Sequence, residues 1–195
     1  MKWKTHKILG GVFYFACSGK AVESICVGLS SILPDIVGPY KDHRNRLSHD
    51  AGLWFMLYIV ATAVSHYGKI HSLTQLNDPT LLFTKTIFAV AYILKLMFAG
   101  ALSHLVMGDM FTKSGIRFFG VKVVVPVSTT GKLSEMVTAS LLLLCAGAIW
   151  YFHFAYPSVP KPLVAFLENE DYVFCTVCSF FLIFGILTGS LLGKS

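Results

Sequence analysis

The sequence predicts an all-α, polytopic membrane protein: a short N-terminal helical hairpin followed by about four transmembrane helices, in a single integral domain over residues 1–195. Three observations predict it. Hydrophobic residues make up 55% of the chain and charged residues only 13%, where a soluble domain carries roughly 25%. Mean hydropathy is +0.67. The apolar residues are also gathered into runs, parted by loops that hold most of the charge.

The elements follow in order. After a basic start, Ile8 to Cys17 is apolar, and Ser18-Gly19-Lys20 interrupts it. A signal peptide has this general shape, and Ala16-Cys17 hints at a lipoprotein cleavage site. Tyr14 stands where such a site wants leucine, and the next stretch is again membrane-like, which favours a hairpin instead. Its second arm, Ala21 to Leu33, is stopped by Pro34. Each arm is shorter than the roughly 20 residues that a crossing needs, so the hairpin is either re-entrant or a pair of tilted, packed helices.

A polar loop runs from Pro34 to Ser48, and Ala51 to Ser65 forms the first clear crossing. A second helix runs back from about Thr80 to Gly108, with Pro79 at its mouth. The following segment alternates apolar and basic residues and is rich in β-branched types as far as Pro126, which predicts a short hairpin or surface loop rather than a crossing. Two further apolar helices are expected, near Ser134 to Tyr156 and Tyr172 to Leu192. They form a C-terminal part, 132–195, that carries no motif.

Charge sets the orientation. The net charge of +6 comes without an RNA-binding or helix-turn-helix signature, so no nucleic-acid partner is expected. Eleven of the sixteen basic residues fall on one side of the predicted crossings: Lys2, Lys4, Lys7, Lys41, Arg44, Arg46, Lys113, Arg117, Lys122, Lys132 and Lys194. The positive-inside rule makes that side cytoplasmic.

The same side gathers residues able to hold a metal. His6, Asp35, His49, His104 and Asp109 lie at the ends of successive apolar runs, and the alternating direction of those runs returns all five to one interface. Imidazole and carboxylate donors suit zinc first and manganese as an alternative, as one ion or two. His43 and Asp50 are the candidates for proton transfer. Arg44, Arg46 and Lys113 are candidates for holding a phosphate, although basic residues there also serve as topological anchors. His66, His71 and His153 are read as polar caps on crossings. Cys17, Cys26, Cys145, Cys175 and Cys178 are read as small apolar side chains, the Cys175-Thr-Val-Cys178 spacing notwithstanding. Lys95 and Glu23 both lie at intramembrane depth, where charge is expensive, and a pair between them is expected.

Four fragments taken together carry a resemblance. Thr5-His6, Leu33-Pro34-Asp35, the H-R-x-x-x-S-H of His43 to His49, and the S-H-x-x-x-x-D-M-F-T-x-x-G of Ser103 to Gly115 resemble the predicted membrane-bound, metal-dependent hydrolases of the YdjM-like group. The likeness covers about residues 4–126. It implies a bacterial inner-membrane location, a hydrolytic activity, the five ligands named above, and Thr112 and Gly115 as residues that shape the following turn. Two departures stand out. His104 and Asp109 are five residues apart where the group has four, which requires either a π-bulge near Met107-Gly108 or an aspartate beyond the helix end. Asp50 stands where serine is commoner, and is read as a support for a ligand, an extra ligand or a general base.

The expected function is metal-assisted hydrolysis of a lipid or lipid-linked phosphoester at the cytoplasmic interface, with membrane lipid as partner and a homo-oligomer or membrane complex compatible with it. A non-catalytic scaffold or accessory subunit with a structural or vestigial metal is the alternative. A divalent-metal transporter is disfavoured, because the candidate ligands cluster at one interface and no internal repeat is evident.

Overall fold

The computed structural model describes residues 3–37, 47–72, 80–112, 115–123, 125, 132–151, 154 and 169–192. The chain forms α1 (Trp3–Ser18), α2 (Ala21–Ser30), α3 (Leu33–Val37), α4 (Ala51–Ser72) and α5 (Thr80–Met107). A 3₁₀ turn (Asp109–Phe111), strands β1 (Ile116–Phe118) and β2 (Val121–Val123), α6 (Lys132–Trp150) and α7 (Glu170–Leu192) complete it. The all-α, polytopic expectation holds. Ala51–Gly68, Phe83–Phe111 and Glu170–Leu187 are long and apolar enough to cross a membrane, and Ala139–Trp150 is a shorter apolar helix.

Helix α5 is the central post. It packs against α1, α2, α3, α4 and α7, and its second half is buried all round: Leu96, Ala99, Ala101, Leu102, Leu105 and Val106 are inaccessible or nearly so. A helix apolar on every face is stable only when every face is covered. Its first half is different, with Phe83, Val90 and Ile93 exposed as a lipid-facing surface would be.

The N-terminal hairpin is two packed helices. By the usual rise of 1.5 Å per residue, α1 is about 24 Å long and α2 about 15 Å, both short of a hydrocarbon core of about 30 Å. Gly19 makes the sharp reversal between them at φ +68, and its N–H returns to the Phe15 carbonyl at 2.8 Å. The reversal lets Leu33-Pro34-Asp35 return to the level of His6, as the sequence required.

The segment after α5 is a two-stranded antiparallel hairpin, with Ile116 opposite Val123 and Phe118 opposite Val121. Asp50 holds it down. One carboxylate oxygen accepts from the N–H groups of Gly52 and Phe119, the other from that of Gly120, each at 2.9 Å. The Arg117 N–H donates to the His49 carbonyl at 3.1 Å, which ties the hairpin to the start of α4.

The expected Lys95–Glu23 pair is overturned. Lys95 lies 3.1 Å from Asp171 and 3.8 Å from Glu170, at the start of α7. Glu23 accepts instead from Tyr92 and lies 3.6 Å from Lys20. Sequence spacing gave both charges similar depth. It could not show that α7 begins at that depth with two carboxylates of its own.

Candidate metal centre

Four side chains from four segments converge. Asp35, His49, His104 and Asp109 each offer a ligand atom within 4.8 Å of the others. His49 Nε2 lies 3.3 Å from Asp109 Oδ2 and 3.5 Å from Asp35 Oδ1; His104 Nε2 lies 3.3 and 3.8 Å from the same two atoms. These four separations are close to the roughly 3.3–3.4 Å between donors around a tetrahedral divalent ion. The Nε2 atoms of both histidines are buried and make no hydrogen bond to a described residue, as atoms reserved for a ligand would be.

Local structure explains how each donor is aimed. Asp35 sits in the first turn of α3, where its N–H returns to the Ile32 carbonyl at 3.1 Å. His49 precedes α4 in a loop fixed by Trp54, whose indole N–H donates to the Ser48 carbonyl at 2.7 Å. His49 Nδ1 is 3.0 Å from Ser48 Oγ. With Nδ1–H donating to that oxygen, Nε2 keeps the lone pair a metal requires. His104 is on the last turn of α5.

Asp109 lies beyond the end of that helix. Of the two ways to reconcile the five-residue spacing, the chain uses the second: α5 stops at Met107, Gly108 breaks the helix, and Asp109 opens the 3₁₀ turn. Thr112 closes the turn, its N–H and hydroxyl both donating to the Asp109 carbonyl at 3.0 and 2.7 Å. Gly108 has a second task. A Cβ there would meet the His6 ring and the His104 carbonyl, so only glycine leaves room for His6.

His6 is adjacent to the four-residue group without belonging to it. Its ring stacks on His104 with centroids 4.1 Å apart, and its buried Nδ1 makes no hydrogen bond to a described residue. Asp50 is also outside the group, its carboxylate being engaged by the hairpin N–H groups of Phe119 and Gly120 and by that of Gly52 at the start of α4. That geometry makes it an anchor of the hairpin. His43, Arg44, Arg46 and Lys113 lie outside the described residues, as does His153. His66 is exposed, on α4, away from the cluster.

The electrostatics suit a cation. Burial pulls His49 down, but the Asp109 and Asp35 carboxylates outweigh it and hold the imidazole at about 9. Burial raises Asp35, yet the neighbouring His49 and His104 bring it below the usual carboxylate range. Without a metal, then, a proton on His49 carries the positive charge the two carboxylates demand.

Ser48, Trp54 and Gly108 complete the centre and were not predicted as functional. The Ser-His order at 48–49 and the five-residue spacing across Gly108 left a trace in the sequence; Trp54 left none. Fold and site together define a helical protein with three helices long and apolar enough to cross a membrane and a largely buried His/Asp group able to hold a divalent ion. Comparison with protein-family models, curated proteins and solved structures gave no match.

Proposed function

We propose that the chain is a membrane-embedded, metal-dependent hydrolase of the YdjM-like kind, acting on a phosphoester of a lipid or lipid-linked substrate at the cytoplasmic face of a bacterial inner membrane. The observation that carries this reading is the convergence of Asp35, His49, His104 and Asp109, drawn from four separate segments, on one small volume. A bound zinc, or manganese in its place, would polarise a phosphoryl oxygen and supply hydroxide at neutral pH.

The chain's own groups do the rest. His49, His104 and Asp109 are buried and fix the centre, while Asp35, at 17% side-chain exposure, forms its accessible edge. Two basic residues belong to the neighbouring hairpin: Arg117, whose backbone N–H bonds the His49 carbonyl, and Lys122, opposite it in the strand register. Arg44 and Arg46, close before His49 in sequence, and Lys113, close after Asp109, are the basic residues that we assign to a phosphate. The excess of basic residues on this side supports a cytoplasmic orientation.

One observation favours a second reading, a scaffold with a structural metal. Four protein donors can close a tetrahedral site, whereas zinc catalysis uses three and leaves a position for water. A single experiment separates the two. The detergent-purified protein, His49→Ala and Asp35→Ala are analysed for metal and assayed on a panel of phosphodiester lipids. The hydrolase reading expects one or two equivalents of metal and turnover in the wild type, both lost in the variants. Metal without turnover on any lipid of the panel favours the scaffold. No metal after supplying zinc and manganese to folded protein refutes the hydrolase and leaves a scaffold with a vestigial site.

A further inference from the structure

The hairpin after α5 carries a residue that its own turn disfavours. Strands β1 and β2 are joined by two residues, Phe119 and Gly120, with φ +48 and +83. Positive φ at both positions is the type I′ turn, in which asparagine-glycine or aspartate-glycine is at ease and a bulky first residue is strained. Phe119 is the one non-glycine residue with positive φ among the described residues. Strain of this kind persists only where the surroundings hold it, and it points to a task other than folding.

The surroundings are the mouth of α4. Asp50, which accepts from the Phe119 and Gly120 N–H groups at 2.9 Å, immediately precedes the apolar stretch Ala51–Gly68. The Phe119 ring lies over Gly52, where a Cβ would stand 2.9 Å from two of the ring carbons. Met56, Ile59 and Val60 follow Gly52 on the same helix face, and all three are exposed as lipid-facing residues of a crossing would be. Phe119 thus carries that apolar stripe past the end of the helix. It remains 59% exposed, as does Val121 at the start of β2.

Two basic residues back this apolar tip. Arg117 and Lys122 are directly opposite in the strand register, and alternation places them on the face that Phe118 and Val121 do not occupy. Like charges so placed repel, and an anion spanning both removes the repulsion. An aromatic tip backed by cations is the composition of an interfacial element, with the ring among acyl chains and the cations at the phosphates of anionic lipids. Continuity with the exposed stripe of α4 makes the bilayer, rather than a protein, the surface that this tip meets.

We propose that the β1–β2 hairpin is an interfacial membrane anchor: Phe119 and Val121 enter the leaflet beside α4, and Arg117 and Lys122 meet the headgroups of anionic phospholipids. The anchor also sets the depth of the metal centre, because the Arg117 N–H bonds the His49 carbonyl at 3.1 Å. It stands whether or not the protein is a hydrolase.

The test uses the protein reconstituted in vesicles of phosphatidylcholine and phosphatidylglycerol, with Phe119→Trp in a Trp3→Phe, Trp150→Phe background. The same background without the Phe119 change gives the Trp54 emission to subtract. Bromine near the headgroup end of the acyl chains should quench the introduced indole by about half, and bromine near the methyl end much less, since interfacial elements reach about 5–10 Å into the boundary. Quenching should be stronger when phosphatidylglycerol rather than phosphatidylcholine carries the bromine, and Arg117→Gln with Lys122→Gln should equalise the two. The unaltered protein guards against misfolding of the variant: a phosphatidylglycerol with a diazirine high on its acyl chain should label the Ile116–Val123 segment. An indole that bromine does not quench, whether open to acrylamide as in water or shielded by protein, would overturn the anchor, as would an unlabelled hairpin. Equal quenching by the two brominated lipids without the glutamine changes would overturn the contact with anionic headgroups.

Discussion

Removing the Lys95 ammonium should damage the fold far more than removing it together with its partner. Lys95 is 2% exposed and holds Asp171 at 3.1 Å. Lys95→Met leaves the Asp171 carboxylate uncompensated in an apolar bundle, a loss of about 3–5 kcal/mol for a broken buried pair. In a chain of this size that lowers Tm by about 6–20 °C. Lys95→Met with Asp171→Asn removes both charges, and the asparagine oxygen still accepts from Tyr58, now 2.7 Å from Asp171. The double variant should therefore lose only about 1–2 kcal/mol, the scale of an imperfect hydrogen bond. The partner is specific: Lys95→Met with Glu23→Gln should show no such recovery, since Glu23 is held by Tyr92 and Lys20. Thermal unfolding in one detergent at fixed pH and salt compares all four proteins. Equal losses in the Lys95 single and the Lys95/Asp171 double variants would refute the pairing, and rescue by the Glu23 change would restore the one expected from sequence.

Further outcomes follow from the metal centre and its supports. Gly108→Ala puts a methyl group into the His6 ring and should cost about 1–3 kcal/mol of stability as overpacking; unfolding of metal-free and metal-loaded protein measures it, and an unchanged Tm in both would show that His6 moves freely. Asp50→Ala removes the acceptor of three N–H groups and should cost about 1–2 kcal/mol, with the hairpin becoming sensitive to limited proteolysis while metal content is retained. Loss of metal from that variant with an intact hairpin would instead make Asp50 a ligand. The pH dependence has a definite sign. His49 is raised from its ordinary 6.5 to about 9 by the two carboxylates, so its protonation stabilises the metal-free protein fully below pH 6.5, and that contribution is lost as pH rises through about 9. Chelated protein should lose Tm over that window and metal-loaded protein should not. Metal uptake between those pH values should release a proton, read by calorimetry in two buffers of different ionisation enthalpy.

Much of this protein was settled by the order of its residues. Long apolar runs in a chain with 13% charge can only be buried in lipid or in one another, which determined the helical, membrane-type class before any fold was seen. The parity of those runs determined that Asp35, His49, His104 and Asp109 share one end of the bundle, because each reversal returns the chain to the same side. Tertiary structure decided what parity could not. It ended α5 at Met107 and turned Asp109 inward through a 3₁₀ turn, a choice between two backbone conformations that sequence left open. It made Asp50 the clasp of a hairpin, because two N–H groups some 70 residues away in the chain, those of Phe119 and Gly120, come to its carboxylate only when β1 and β2 fold back. It gave Lys95 to Asp171 rather than to Glu23, since hydropathy fixes a residue's depth while packing fixes the direction in which it looks for its partner.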